Sequence, residues 1–281
     1  MSGALLSLRN IAKAWLLLLG ACLLFAGLGY LAGGVRLLSV LVFCCLLLAA
    51  ATYWYVDRVV LGMLGARELL LTEAPALHST AERLAAVVGL PKPRLYLLPD
   101  PYPRALSGGR GPRGGGAIAV SSGLLAVCTP AELEGILAHE LAHIRHRDVL
   151  VTAVVVVTAV TIVEASRIGG FLQRALLFVL APVAAAIMHL LLSPKREFAA
   201  DRAAAWYCDS PHGLADALLR LEQASELVEF QASPATEPLY TINPFEERGL
   251  AALFVTHPPV AERVQRLREL DPNWREKLRA A

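Results

Sequence analysis

Four long apolar runs divide the chain, with polar stretches between them. Lys13 and Arg36 bracket the uncharged run Ala14 to Val35. As a helix it would span about 33 Å at ~1.5 Å per residue, enough to cross a bilayer core. A second run, Leu37 to Val56, ends at Asp57, and Gly33-Gly34 supplies a turn, so residues 14–56 read as a transmembrane hairpin. A cleaved signal peptide is the competing reading of the first run, but that run is long for one and another follows at once. Val149 to Val163 and Ala175 to Leu192 make a second pair, with Arg167 to Gly170 between them and Pro182 placed to kink the fourth run. At 15 residues Val149 to Val163 is short for a crossing, so its helix is expected to begin in the preceding polar turn or to end near Ser166. Either of these two runs could instead be a buried core helix; their pairing favours a second hairpin.

Between Asp57 and Asp148 the pattern becomes that of a water-soluble domain. Glu73 to Val88 predicts an amphipathic helix carrying Leu77, Leu84 and Val88 on one side, ended by Gly89 and kept from resuming by Pro91. Arg94 to Leu98 predicts a strand, Pro99, Pro101 and Pro103 break it, and Ala105 to Ser107 and Ala117 to Val120 are further strands around the tract Gly108 to Gly116. That tract lacks the Gly-Lys-Ser/Thr ending of a phosphate loop and reads as a flexible hairpin connection. Leu214 to Phe230 and Val260 to Leu270 predict amphipathic helices, and Gln231 to Asn243 a loop bordering a cleft.

Composition agrees with membrane spans: 56% of the 281 residues are hydrophobic, only 18% are charged, and the mean hydropathy is +0.53. A net charge of +2 argues against nucleic acid as a partner. The five cysteines form no CxxC pair, so neither a disulfide framework nor a thiolate metal site is indicated.

The chemistry centres on His139-Glu140-Leu141-Ala142-His143. Thr129 as N-cap, Pro130 in the first turn and Glu132 completing a capping box put this H-E-x-x-H run on a helix. The two histidines then leave one face and can share one Zn²⁺ per chain, while Glu140, offset by about 100°, can act as general base. Beyond the second hairpin, Ser193 to Arg202 begins another helix with Glu197 and Asp201 at i and i+4. Two crossings return the chain to the same side of the membrane. Glu197 is therefore expected as third ligand, with Asp201 accepting the second N–H of a ligand histidine. Zinc proteases commonly hold substrate on an edge strand near the metal, and Ala105, Leu106 and Ser107 are the candidates.

These blocks resemble the HtpX-like integral-membrane zinc metallopeptidases, relatives of the eukaryotic CAAX prenyl protease type 1. The similarity runs from about Ala66 to Leu270 and takes in Gly89-Leu90-Pro91-Lys92-Pro93, Val120 to Leu125, Arg196 to Asp201, Ile242-Asn243-Pro244 and Thr256-His257-Pro258-Pro259 with Glu262-Arg263. It implies an oxyanion-stabilising role for His257. Where the family reads Pro-Asn-Ala-Phe-Ala-x-Gly, this chain has Pro103-Arg104-Ala105-Leu106-Ser107-Gly108-Gly109. Arg104 in the substrate strand cannot accept the hydrogen bond that the Asn could, so substrate alignment is expected to differ. The expected fold is a mostly α-helical polytopic membrane protein with about four transmembrane helices and an α+β zincin-like domain with a small sheet. It divides into a hairpin (1–56), the first catalytic part (57–148), a second hairpin (149–192) and the second catalytic part (193–281).

Arg9, Lys13, Arg58, Arg67, Arg145, Arg147, Lys195 and Arg196 flank the spans on the metal side, against Arg36, Arg167 and Arg174 on the other. The positive-inside rule then makes the catalytic domain cytoplasmic. The resemblance implies a bacterial inner-membrane enzyme acting on protein or peptide substrates, membrane proteins among them, in stress-linked quality control. No oligomeric state is implied. A peptidase maturing one dedicated membrane or lipidated substrate would carry the same residues, whereas a scaffold or transporter would have no use for two His, one Glu and a base.

Overall fold

The computed structural model describes residues 61–62, 64–109, 115–165, 173–225, 234–243, 251–271 and 273, with scattered positions before residue 61, among them 33–44. Most of the expected hairpin over 14–56, and the turn at 167–170, lie outside these residues. Helix α1 (Gly33–Cys44) includes Gly34 at φ 63°. Then come β1 (Arg67–Glu68), α2 (Pro75–Val88), β2 (Arg94–Leu98), β3 (Ala105–Gly109), β4 (Gly116–Ser121), α3 (Ser122–Val127) and α4 (Pro130–His146). They are followed by α5 (Asp148–Ala165), α6 (Gln173–Leu191), α7 (Pro194–Tyr207) and α8 (His212–Ser225). Two 3-10 segments, Pro234–Leu239 and Ala251–Phe254, precede α9 (Val260–Glu269). The described chain is predominantly helical with one small mixed sheet.

Local signals set several boundaries. Gly89 closes α2 in the left-handed region at φ 71°, and its N–H caps the last turn. At α4 the capping box is formed: Glu132 N–H donates to Thr129 Oγ1, and Thr129 N–H donates to Glu132 Oε2 at 2.6 Å. The same carboxylate accepts from Arg220 Nε at 2.8 Å, tying the start of α4 to α8.

The sheet order is β1-β2-β4-β3, with β2 parallel to β4 and both outer pairs antiparallel. The proline-rich stretch after β2 carries the chain past the place β4 will fill, so β4 becomes a buried inner strand and β3 a sheet edge. α4 is the central helix. Its Ile136, Leu137 and Leu141 share one apolar core with Leu84 of α2, Ile118 and Val120 of β4, Leu218 and Leu221 of α8, and Val264 and Leu267 of α9. Each such side chain contributes about 1.5–3 kcal/mol on full burial. α8 approaches so closely that a Cβ on Gly135 would lie 2.5 Å from the Leu214 nitrogen. Glycine there is a packing requirement.

A second, smaller core joins α5 to α6 through Val151, Val155, Ala159, Ala181, Ala184, Ala185 and Met188. Ala235 and Phe254 of the 3-10 segments pack onto it. As expected, α5 starts in the polar turn, at Asp148. The opposite side of α6 exposes Phe178, Val179, Val183 and Leu190. Among the described residues no single helix is long and apolar enough to cross a membrane. The pair Leu177–Leu191 and Pro194–Tyr207, bent by 42°, meets that length and composition together.

Candidate metal centre

His139 and His143 leave α4 one turn apart, with their rings nearly perpendicular and centroids 4.6 Å apart. Their Nε2 atoms are 3.1 Å from each other, and Glu197 Oε2 lies 3.5 Å from the first and 3.6 Å from the second. All three residues are buried, and together they can hold a metal ion. A tetrahedral zinc with bonds of about 2.0–2.1 Å needs ligand atoms ~3.3 Å apart, which this triangle approximates. Neither Glu197 oxygen accepts a hydrogen bond among the described residues, although both are buried. Such a carboxylate is costly without a cation. The residues fit the group.

Each ligand has its own support. Past α4, Arg147 takes the left-handed conformation at φ 58° and α5 begins at once, which turns Asp148 back onto His143. Its Oδ2 is 3.0 Å from His143 Nδ1. Asp201, one turn after Glu197 on α7, places Oδ1 3.0 Å from His139 Nδ1. Arg263 of α9, fully buried, donates through Nε and Nη2 to Asp201 at 2.8 and 2.7 Å, and through Nη1 to the Thr241 carbonyl at 2.7 Å. Beside Glu197, Arg196 Nη2 stands 3.3 Å from Oε1, while its Nη1 donates to Thr152 of α5 at 2.6 Å.

The electrostatics favour a cation. Burial works against ionising Glu197, but His143 and His257 beside it hold its carboxyl well below the usual range. Burial likewise opposes charge on His143, and Glu197 and Asp148 overcome it, raising its pKa to about 10. Asp201 is penalised by burial and brought down to about 2 by Arg263.

Glu140 is buried on α4 between the two ligands. His257 comes from the loop before α9 and sets Nε2 3.7 Å from Glu197 Oε2. Its Nδ1 lies 2.8 Å from Glu237 Oε1 in the first 3-10 segment, and the Glu237 carboxylate also accepts from the His257 N–H, the Thr256 N–H and the Thr256 hydroxyl. Burial raises the Glu237 pKa, but His257 and these donors bring it down overall.

β3 runs beside α4 as a sheet edge, as expected for Ala105 to Ser107. Arg104 stands just before β3. Its backbone N–H and carbonyl are both engaged by Ser121, and its guanidinium turns inward to Asp100 at 2.6 Å and stacks 5.1 Å from the Tyr240 ring centre. Asp100 and Tyr240 thus hold it in the interior, leaving it 6% exposed.

Asp148, Arg263, Glu237 and Thr241 were not singled out by sequence reasoning. Asp148 carries a faint signal, since it follows a helix end within five residues of a ligand. Arg263 lies inside the motif that carried the family resemblance, but nothing local gives it a partner 62 residues away. Glu237 and Thr241 sit in a stretch without periodicity.

A family model described as Peptidase family M48 matches residues 71–271. The chain is 37% identical over 276 residues to the Protease HtpX homolog of Pelotomaculum thermopropionicum, covering 92% of this chain and 98% of the relative. It is 39% identical over 240 residues to that of Aquifex aeolicus, covering 78% and 79%. Among solved structures, the crystal structure of S. mikatae Ste24p matches with a TM-score of 0.50 at 20% identity. That match covers 93% of this chain and 66% of the longer one, and shows a likeness of fold.

Proposed function

The chain is a metallopeptidase belonging to peptidase family M48, and on that premise we propose that it is a zinc-dependent endopeptidase acting on misfolded or membrane proteins at the cytoplasmic face of a bacterial inner membrane. The observation that carries the reading is the buried His139–His143–Glu197 triangle, with edges of 3.1–3.6 Å and, at one corner, a carboxylate that accepts no hydrogen bond among the described residues.

His139, His143 and Glu197 would hold the ion, whose chemistry there would be to acidify a water and polarise the scissile carbonyl. Glu140 takes the proton from the attacking water and returns it to the leaving amine. Asp148 and Asp201 fix the two imidazoles in the orientation that turns both Nε2 atoms inward. His257, oriented by Glu237, meets the charge that develops on the carbonyl oxygen. β3 holds the peptide by adding it as a further strand.

Support for a membrane setting comes from α6, a 19-residue helix that exposes Phe178, Val179, Val183 and Leu190 on its outer side. Glu197 follows the end of that helix by six residues. A bilayer around α5 and α6 would therefore put the active centre close to its surface, within reach of loops of embedded proteins.

The test is cleavage of a panel of unfolded and membrane proteins by the purified enzyme with zinc, with chelator, and as Glu140→Gln. Zinc-dependent cleavage that Glu140→Gln abolishes while retaining the metal is expected. Undiminished cleavage by that variant would remove Glu140 from the mechanism.

A further inference from the structure

An antiparallel ladder directs the backbone groups of alternate residues to opposite sides of a strand. The Ser121 N–H donates to the Arg104 carbonyl at 3.0 Å, so Arg104 faces β4. With the register Ala105↔Val120, Leu106↔Ala119 and Ser107↔Ile118, the inward residues are Arg104 and Leu106 and the outward ones Ala105 and Ser107. Only these outward groups can pair with a substrate strand.

Ala105 is already paired. Its N–H donates to Thr241 Oγ1 at 3.2 Å, and the same hydroxyl donates to its carbonyl at 3.3 Å. One hydroxyl thus accepts and donates as a neighbouring strand residue would. No hydrogen bond among the described residues reaches the outward side of Ser107, which is partly exposed. Next along the strand, Gly109 at φ 110° ends its regular course.

Thr241 is held in place from several directions. Its carbonyl accepts from the buried Arg263. Tyr240 packs edge-on against Tyr102 and beneath Arg104, and Ile242 belongs to the main core. Residues 240–242 are each no more than 5% exposed, so their surroundings hold the Thr241 hydroxyl against Ala105.

We propose that Thr241 is a specificity-determining residue that closes β3 to substrate at Ala105, so that strand pairing begins at Ser107 and the peptide must leave the sheet edge on the Thr241 side. This rests on the reading of β3 as the substrate strand. It also explains how Arg263 serves two ends of the cleft, through Asp201 at the metal and through Thr241 at the strand.

The experiment is a backbone N-methylation scan of one cleaved peptide, measured as kcat/KM for wild type, Thr241→Ser and Thr241→Ala, with zinc per chain as the check on folding. Wild type and Thr241→Ser should be sensitive at the position facing Ser107 and insensitive two residues further towards Thr241. In Thr241→Ala that further position should become sensitive by about fivefold, the scale of one backbone hydrogen bond. A zinc-replete Thr241→Ala with the wild-type scan would overturn the proposal. So would a wild type already sensitive at the Ala105-facing position, a result that needs no variant. Cleavage with no sensitive position anywhere would instead remove the substrate-strand reading, and absence of cleavage the peptidase reading; either takes this proposal with it.

Discussion

Arg263→Met should be the most destabilising single change near the metal. The guanidinium is completely buried, donates twice to Asp201 and once to the Thr241 carbonyl, and sets Nη2 3.5 Å from His139 Nε2. Methionine fills similar space but leaves the buried Asp201 carboxylate with only His139 beside it, and breaking a buried pair in this way costs about 3–5 kcal/mol. The Asp201 pKa provides a second route to the magnitude. A fall from 3.8 to about 2 corresponds to roughly 2 kcal/mol, at ~1.4 kcal/mol per unit. Because the folded pKa is depressed, that stability is present above pH 3.8 and is lost as pH falls through about 2. The remainder belongs to the Thr241 carbonyl, which loses its buried donor. Urea unfolding in detergent, followed by tryptophan fluorescence, measures the loss at neutral pH. The double variant Arg263→Met/Asp201→Asn leaves no unpaired charge and should recover at least half of it. Strictly additive losses would refute the reasoning, since the pair would then not be the source of the effect.

Zinc per chain under mild chelator should rank the site: Glu197→Ala loses most of the ion, whereas His257→Ala keeps it and loses turnover by ~10²–10³. Full occupancy in Glu197→Ala would mean that another residue is the third ligand. Asp148→Ala should weaken zinc by ~10–100-fold, comparable to Asp201→Ala, because each removes the partner of one ligand imidazole; isothermal titration of the metal-free protein reads both. Glu237→Ala should lower kcat with zinc content unchanged, and adding His257→Ala to it should cost little more, because the two act as a unit. Independent, multiplying losses would separate them.

The sequence by itself determined what short-range physics controls. The capping box at Thr129, the helix that puts His139 and His143 on one face, the Gly89 stop and the i, i+4 pair Glu197 and Asp201 all depend on residues within a turn or two of each other. Even the strand Ala105 to Ser107 was legible between proline and glycine punctuation. Tertiary structure decided who meets whom. Arg104 shows the difference: read locally it belongs to a substrate strand, yet Asp100 and Tyr240 give a buried guanidinium an ion pair and a stacking partner, and it turns inward. Arg263 meets Asp201 across 62 residues, and Thr241 meets Ala105 across 136. Neither meeting leaves a periodicity, because a contact between distant segments is fixed by the packing of the elements that carry them. The preference of either residue for its neighbours has no part in it. The local signals built the helices that carry His139, His143 and Glu197, and α9 and the 3-10 segment, from far along the chain, supplied Arg263 to Asp201 and Glu237 to His257.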